Sequence, residues 1–226
     1  MHTQKAIRHA ATVWKVDVIS MSFGFVDPVK IIKEEIDKAA QEKIIMVAAP
    51  ANWGGQKAAA WPACDEKVID IYATDHFTNR CSFSPTPPSN SEGFATIGVG
   101  VDSRWPPSLK QGATKRKSGT SVATAIAAGL AAMTLAYMKQ LIHLIGYKIR
   151  EEDVETFQLI RTCHGMKAMF ERMVVDEART RDGLAYLSPW HYFGSNTAEP
   201  ALFREPEIMI PYTFLRDMLL RKHRYS

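Results

Sequence analysis

Short continuous apolar runs alternate along the chain with longer stretches of helical spacing. Apolar residues recur at helical spacing between 4 and 14 and between 28 and 42. Asp27 and Pro28 predict the start of the second helix, with Asp27 as its N-cap. Four runs rich in β-branched and small residues are typical of buried parallel strands: 16–21, 44–49, 68–73 and 94–99. We therefore expect an α/β fold with helices on both faces of a parallel sheet.

The longest apolar segment runs from 120 to 145 and predicts one long helix. Ser121 to Met138 are 18 residues without a charge, long enough to cross a membrane. The segment is rich in Ala, Ser, Thr and Gly, which pack closely and insert weakly, so a buried central helix of a soluble domain is favoured over a membrane span. We place the first domain at 1–145 and a helical, loop-rich C-terminal extension at 146–226.

The C-terminal extension differs from the first domain in its pattern of apolar residues and prolines. Residues 151–174 predict a helix with one apolar face, whereas 176–213 contain four prolines and predict loops. The last residues predict a basic helix. The apolar face of the helix over 151–174 would consist of six residues: Phe157, Ile160, Cys163, Met166, Met169 and Phe170.

Composition restricts the class of protein only mildly. A net charge of +4 over 226 residues does not indicate a nucleic-acid partner, and Lys115-Arg116-Lys117 is expected to be a solvated loop. Three widely spaced cysteines suggest neither a disulfide framework nor a metal site. Reduced thiols favour an intracellular, cytoplasmic protein without membrane association.

One motif points to chemistry, Ser118-Gly119-Thr120-Ser121 at the head of the long helix. A helix N-terminus offers free N–H groups and partial positive charge, which favour a developing oxyanion. Ser121 is therefore the candidate nucleophile.

Three earlier segments accompany this motif in a fixed order: Ser22-Phe23-Gly24 after the first strand, Ala49-Pro50-Ala51-Asn52 after the second, and Arg80-Cys81-Ser82-Phe83-Ser84 after the third. Together the four segments resemble the subtilisin-like serine protease family (peptidase S8/S53 type), C-terminal part only. The resemblance implies a three-layer fold with a central parallel sheet whose N-terminal strands are missing from this chain.

The resemblance also implies roles for individual residues. Ser121 would be the nucleophile and Asn52 the side-chain donor of the oxyanion hole. The walls that bind the substrate peptide would be formed by two groups, Ser22, Phe23, Gly24 and Ala49, Pro50, Ala51. The reaction would need neither a metal nor an organic cofactor.

Two positions depart from the family pattern, Ala51 where the family usually has Gly and Ala125 where it has Pro. The C-terminal part resembles intracellular fungal members of the family at a handful of positions: Gly165, Met166, Phe170, Pro189 and Trp190.

The family's catalytic Asp and His motifs do not occur in the sequence. They would lie before the first helix, and none of the seven histidines has the expected Gly-Thr context. The main hypothesis is a serine endopeptidase fragment acting on a peptide or protein substrate, with a second chain as one possible source of the N-terminal half. The alternative is an inactive, truncated pseudo-protease that serves as a peptide- or protein-binding module.

Overall fold

A six-stranded sheet forms the centre of the molecule. The computed structural model describes residues 2–55, 57–88, 93–106, 108, 114–145, 157–179 and 183–190. The strand order is β1-β2-β3-β4-β8-β7; neighbours are parallel except β7, which runs antiparallel to β8. The strands are β1 (Val18–Met21), β2 (Ile45–Ala48), β3 (Ile69–Thr74), β4 (Phe94–Ile97), β7 (Val174–Arg179) and β8 (Ala185–Leu187).

Helices cover both faces of this sheet, which confirms the expected α/β class. The helices are α1 (His2–Thr12), α2 (Lys30–Gln41), α3 (Thr120–Ile145) and α4 (Cys163–Arg172). The alternation of side chains along β2 separates two cores. Ile45 and Val47 pack with α3 and α4, whereas Met46 and Ala48 pack with α1 and α2.

α3 is the central helix of the larger core. Its small residues Ala123, Ala127 and Ala131 are fully buried, so the helix axis can approach the sheet closely. By length and composition Thr120–Gln140 could also cross a membrane, but 44% of that window is buried inside the structure. Buried core helices pass the same test, so the composition alone is weak evidence for a membrane.

The start of α2 differs from the prediction. The N-cap is Val29, in an extended conformation, and no side chain caps the helix. The backbone N–H groups of Ile32 and Lys33 both bond to the Val29 carbonyl, so the first turn closes two residues later than an Asp27 cap would require. The assignment of Asp27 as the N-cap was wrong.

The C-terminal part contains more strand than expected. The predicted helix over 151–174 is interrupted at 161–162, where the Thr162 hydroxyl accepts a hydrogen bond from Gly165 N–H and caps α4. β7 begins at Val174, and β8 adds to the sheet beside β4. Residues 151–156 and the basic segment at the end lie outside the described residues. The domain boundary at 145 stays a prediction.

A two-stranded hairpin was also missed by the sequence analysis. β5 (Val101–Arg104) and β6 (Thr114–Lys117) pair antiparallel directly after β4 and directly before α3. The pattern of charged and small residues in these strands carries no apolar alternation, which is the usual signal for a strand.

Candidate active site

Ser121 lies in the first turn of α3, one residue after a glycine-threonine entry. Gly119 has φ +147°, a conformation that L side chains rarely adopt, and it is buried. Thr120 is completely buried, whereas Ser121 is partly exposed. The backbone therefore turns sharply into the helix and presents the Ser121 hydroxyl near the surface.

Asn52, which follows β2, is clamped to this turn by Thr120. Its Oδ1 accepts the Thr120 backbone N–H at 2.8 Å and lies 3.0 Å from the Thr120 hydroxyl. That hydroxyl also lies 3.0 Å from the Ala51 carbonyl, so its single proton serves one of these two acceptors. With Oδ1 held in this way, the Asn52 amide nitrogen is fixed on the other side of the side chain.

The glycines around this clamp are required by close approach. A Cβ on Gly119 would lie 3.3 Å from Asn52 Nδ2. A Cβ on Gly98, at the end of β4, would lie 2.5 Å from the Ala73 Cβ. Gly119 N–H donates to the Gly98 carbonyl at 2.8 Å, which ties the entry turn to the sheet. The entry turn is therefore held on one side by the Asn52 side chain after β2 and on the other by a backbone hydrogen bond to the end of β4.

Two N–H donors remain available beside Ser121. The Val122 and Ala123 N–H groups both point to the Gly119 carbonyl, and Thr120 N–H goes to Asn52. Within the described part of the chain, Ser121 N–H has no hydrogen-bond partner, as expected for the first turn of a helix. The Asn52 amide is the second candidate donor for an oxyanion, because the Asn52 side chain is hydrogen-bonded to the residue before Ser121.

The predicted wall segments converge on the same end of the sheet. Ala49 N–H donates to the Met21 carbonyl at 3.0 Å, which joins the end of β2 to the end of β1. Ala49 and Pro50 are buried, and Phe23 is partly buried. Ser22 and Gly24 are exposed, so a peptide can reach them. Their assignment as peptide-binding residues remains a prediction, although the structure brings all of them together.

A third wall, formed by Ala60 and Trp61, was not found from the sequence. Phe25 and Trp61 exchange two backbone hydrogen bonds, of 2.7 and 3.0 Å, and Ala60 N–H donates to the Pro50 carbonyl at 2.8 Å. A Cβ on Gly24 would lie 2.6 Å from the Ala60 Cβ. The only sequence signal is a Trp-Pro pair in a loop, which by itself does not reveal its neighbours.

Ala51 adopts a strained backbone. Its φ is +105°, in the region that favours glycine. This is the position where the sequence departs from the family pattern, and the glycine-like conformation is kept despite the side chain. The departure therefore costs strain and leaves the geometry of Asn52 intact.

Residues 80–84, which follow β3, are hydrogen-bonded to that strand and to one another. The Ser84 hydroxyl accepts the Ala73 N–H, and the Arg80 guanidinium donates to the Ser84 carbonyl. Burial raises the pKa of the Cys81 thiol to about 11, so this cysteine stays protonated and unreactive at neutral pH. These contacts tie the segment to β3.

The histidines of the described residues lie apart from the hydrogen bonds of Ser121. Among the described residues, no histidine makes a hydrogen bond or ring contact with Ser121. His9 stacks edge-on against Trp14 with ring centroids 4.9 Å apart, and His76 packs on Phe77 at 3.8 Å. His143, His191 and His223 have no described side chain. Within the described residues, the structure thus brings the candidate nucleophile Ser121 and the candidate donor Asn52 onto adjoining turns and shows no histidine hydrogen-bonded to Ser121.

Curated proteins similar in sequence are bacterial and fungal proteases. Subtilisin DY of Bacillus licheniformis is 36% identical over 129 residues, covering 56% of this chain and 45% of the relative. Minor extracellular protease Epr of Bacillus subtilis is 31% identical and is covered over 18% of its length. Subtilisin-like protease het-Q2 of Podospora anserina is 30% identical over 60% of this chain and 38% of its own length. The chain thus spans less than half the length of these relatives.

Solved structures show the same fold. A mutant of the protease domain of PatA has a TM-score of 0.65 at 19% identity, and the match covers 95% of this chain and 64% of that one. The prenylagaramide maturation protease PagA has a TM-score of 0.55 at 25% identity over 61% of this chain and 49% of its own.

The profile of the subtilase family, Peptidase_S8, matches residues 1–169, a span that includes Asn52, Ser121 and all six wall residues. With an α/β fold shared with solved proteases and a serine held at a helix N-terminus beside an asparagine amide, the chain belongs to the subtilase family of serine proteases.

Proposed function

We propose that this chain supplies the nucleophile, the oxyanion donors and the peptide-binding walls of a serine endopeptidase. The observation that carries the proposal is the clamp between Asn52 and Thr120. It fixes the Asn52 side chain against Thr120, which directly precedes the candidate nucleophile Ser121. If Asn52 had only a packing role, its amide would not need to be exposed beside the buried Thr120.

In the proposed reaction, Ser121 Oγ attacks the carbonyl carbon of a substrate peptide bond. The resulting oxyanion is stabilised by Ser121 N–H and by the Asn52 amide. The C–N bond then breaks, the leaving amine takes the proton that Ser121 lost, and water hydrolyses the acyl-enzyme. A serine hydroxyl is a poor nucleophile until a base takes its proton.

The base is the part that this chain must obtain from elsewhere. We infer that the catalytic His and its Asp belong to a segment outside the 226-residue sequence, either preceding it in the same polypeptide or on a second chain. β1 supports this inference. In the described residues it pairs only with β2, so its other edge is open to a further strand.

Fluorophosphonate labelling tests the proposal. The reagent modifies a serine rapidly only when a base activates it. The protein is isolated from the cells that make it, and in parallel the 226-residue chain is expressed alone. Trypsin releases the stretch 118–139, in which fragmentation separates modification at Ser121 from modification at Ser118.

We expect rapid modification of Ser121 in the native material, slow modification in the isolated chain, and none after Ser121→Ala. Native material in which Ser121 stays unmodified, while other serine hydrolases in the sample react, would contradict the proposal. In that case the chain would at most bind peptides.

We also propose a cytoplasmic location and kinship with intracellular fungal members. The described cysteines are all free, in agreement with a reducing compartment. The C-terminal motif is packed as a unit. Met166 and Phe170 are fully buried, and a Cβ on Gly165 would collide with the Leu159 carbonyl. Fluorescent tagging of the full chain in its source cells tests the location; accumulation in the medium would contradict it.

A further inference from the structure

The hairpin formed by β5 and β6 is the most strongly charged surface beside the candidate nucleophile. Its strands carry four cationic side chains and one carboxylate, and all but one of the five are exposed. Arg116 forms a two-pronged ion pair with Asp102, at 3.0 and 3.1 Å. Arg104 and Lys117 have no carboxylate partner among the described residues. The hairpin therefore presents uncompensated positive charge.

On one face of the hairpin, two of the cationic side chains lie against an aromatic ring. Lys115 and Lys117 lie on the same face, because they are two residues apart in one strand. Their ammonium groups lie 4.7 and 5.1 Å from the centre of the Trp105 ring. Cation–π contact holds the two ammonium groups side by side over the ring. The Trp105 indole N–H is buried and meets no acceptor within the described part of the chain.

The base of the hairpin is fixed to the nucleophile turn. Gly100 N–H donates to the Ser118 hydroxyl at 2.9 Å, next to the bond between Gly119 N–H and the Gly98 carbonyl. Lys117 is the last residue of β6 and precedes Ser121 by four positions. Four residues span at most about 14 Å, which is also the length of about four residues of an extended peptide.

The hairpin and the peptide-binding walls lie on opposite sides of the site. The walls follow β1 and β2, whereas the hairpin follows β4, and β3 lies between them in the sheet. A peptide with its acyl half along the walls and its carbonyl at Ser121 must therefore direct its other half toward the hairpin.

We infer that the β5–β6 hairpin selects substrates with acidic residues in the first few positions after the scissile bond. This inference rests on the proposed function, since it names the substrate class of the same site. The carboxylates of such a peptide would pair with Lys117, on the face of the hairpin that contacts Trp105. Arg104, on the opposite face, would add to the positive potential that attracts them. Desolvated or closely spaced opposite charges mainly provide selectivity, which salt reduces.

The test measures binding, so it does not depend on turnover. The full chain carrying Ser121→Ala is titrated into fluorescein-labelled peptides followed by anisotropy at low salt. Each peptide joins a neutral half to an acidic half, in either order. The controls replace Asp and Glu by Asn and Gln. The double variant Arg104→Gln/Lys117→Gln removes the charges, and Lys5→Gln/Lys30→Gln lowers the net charge equally at exposed sites on α1 and α2.

We expect the peptide with its acidic half at the C-terminal end to bind about tenfold more tightly than its amide analogue, an advantage lost near ~0.5 M salt. The hairpin variant should abolish this preference and the remote variant should keep it. Equal affinity for both orders, equal affinity for acidic and amide peptides, or preference retained in the hairpin variant would overturn the inference. So would binding of a single-stranded RNA of equal charge with the same affinity.

The two proposals fail separately. If Ser121 in native material reacts with fluorophosphonate but acidic peptides show no preference, only the substrate class is wrong. If the order-dependent preference is found but Ser121 never reacts, the hairpin still binds acidic peptides and the endopeptidase proposal is wrong.

Discussion

The two flanks of Ser121 are built on different physical principles. The wall flank, from β1 and β2, consists of small and apolar residues joined by backbone hydrogen bonds, and Ala49, Pro50 and Trp61 are buried within it. The hairpin flank is exposed and charged and is tied down at its base. The wall flank is therefore defined by packing, and the hairpin flank by its charge. Changes of one methyl group should matter on the wall flank, and changes of salt or charge on the hairpin flank.

The largest expected effect is at the point where the two flanks meet. Asn52→Leu removes the side-chain oxyanion donor and should slow modification of Ser121 about 10²–10³-fold, the loss known for the corresponding donor in subtilisin itself. The rate of fluorophosphonate labelling, in variant protein isolated from the cells that make it, measures this loss. Asn79→Leu, at an exposed asparagine whose amide bonds to Asp75, should leave the rate unchanged. Equal losses in both variants would mean that Asn52 has only a structural role.

The next effect tests the tight packing of the wall flank. Gly24→Ala places a methyl group 2.6 Å from the Ala60 Cβ, so the wall must shift, and the free energy of unfolding should fall by about 1–3 kcal/mol. Urea denaturation measures it. Gly129→Ala on α3 is the matched control. A Cβ there meets nothing within 4 Å, and alanine favours the helix. A similar loss in both variants would contradict the assignment of close packing to Gly24.

Ion pairs on the two flanks should also differ in how much they stabilise the fold. Glu35, on α2 beneath the wall flank, is 3% exposed and accepts hydrogen bonds from Arg8 and Lys38. The Arg8 hydrogen bond, aided by Lys38 and opposed by burial, lowers the pKa of Glu35 from its ordinary 4.5 to about 2. Because the folded-state pKa is depressed, the stabilisation is complete above about pH 4.5 and is lost as the pH falls toward 2.

Glu35→Gln should therefore lower the free energy of unfolding by about 1–2 kcal/mol at pH 7, between the values for exposed and buried pairs. It should also flatten the loss of stability between pH 4.5 and 2. The exposed pair of Asp102 and Arg116 provides the contrast. Arg116 lowers the pKa of Asp102 through a hydrogen bond, but both side chains are more than half exposed. Asp102→Asn should leave the thermal unfolding midpoint unchanged; an equal loss in both variants would refute the contrast.

The smallest effect concerns the strain at Ala51. Ala51→Gly should raise the free energy of unfolding by up to about 1 kcal/mol, because glycine adopts a positive φ without steric cost. Ala49→Gly, two residues earlier and without a positive φ, should lower it. Thermal denaturation of the pair measures the difference, and a loss of stability in both would show that Ala51 is not strained.

The sequence predicted the wall flank far better than the hairpin flank. β1, β2 and β3 were predicted within one or two residues, because continuous β-branched runs are a strong signal for buried strands. Ser121 and Asn52 were identified from motifs whose order along the chain is fixed. Their clamp through Thr120 was not foreseen, since it joins two distant loops by a side chain whose partner no local pattern specifies.

Other elements carried weaker or contradictory signals. The hairpin strands contain Thr114-Lys115-Arg116-Lys117, whose charges predict a solvated loop, although pairing with β5 and stacking on Trp105 order them. β7 and β8 overlap the segment 176–213, whose prolines indicate loops; β8 pairs with β4, and β7 pairs with β8. Asp27 followed by Pro28 is a typical local signal for a helix start, but the helix begins after Val29 instead. Local pattern failed where long-range pairing decided the structure.

The clamp between Asn52 and Thr120 also has a consequence for how the protein is made. The two residues are 68 positions apart, so their contact closes a long loop and can form only after β2, β3 and β4 are aligned. During synthesis, the segment bearing Asn52 leaves the ribosome well before the serine does. Until the sheet assembles, the serine is an ordinary hydroxyl on a flexible chain. If the proposed function holds, correct folding is thus a precondition of reactivity, and a half-made or misfolded copy would have no means to cut its neighbours.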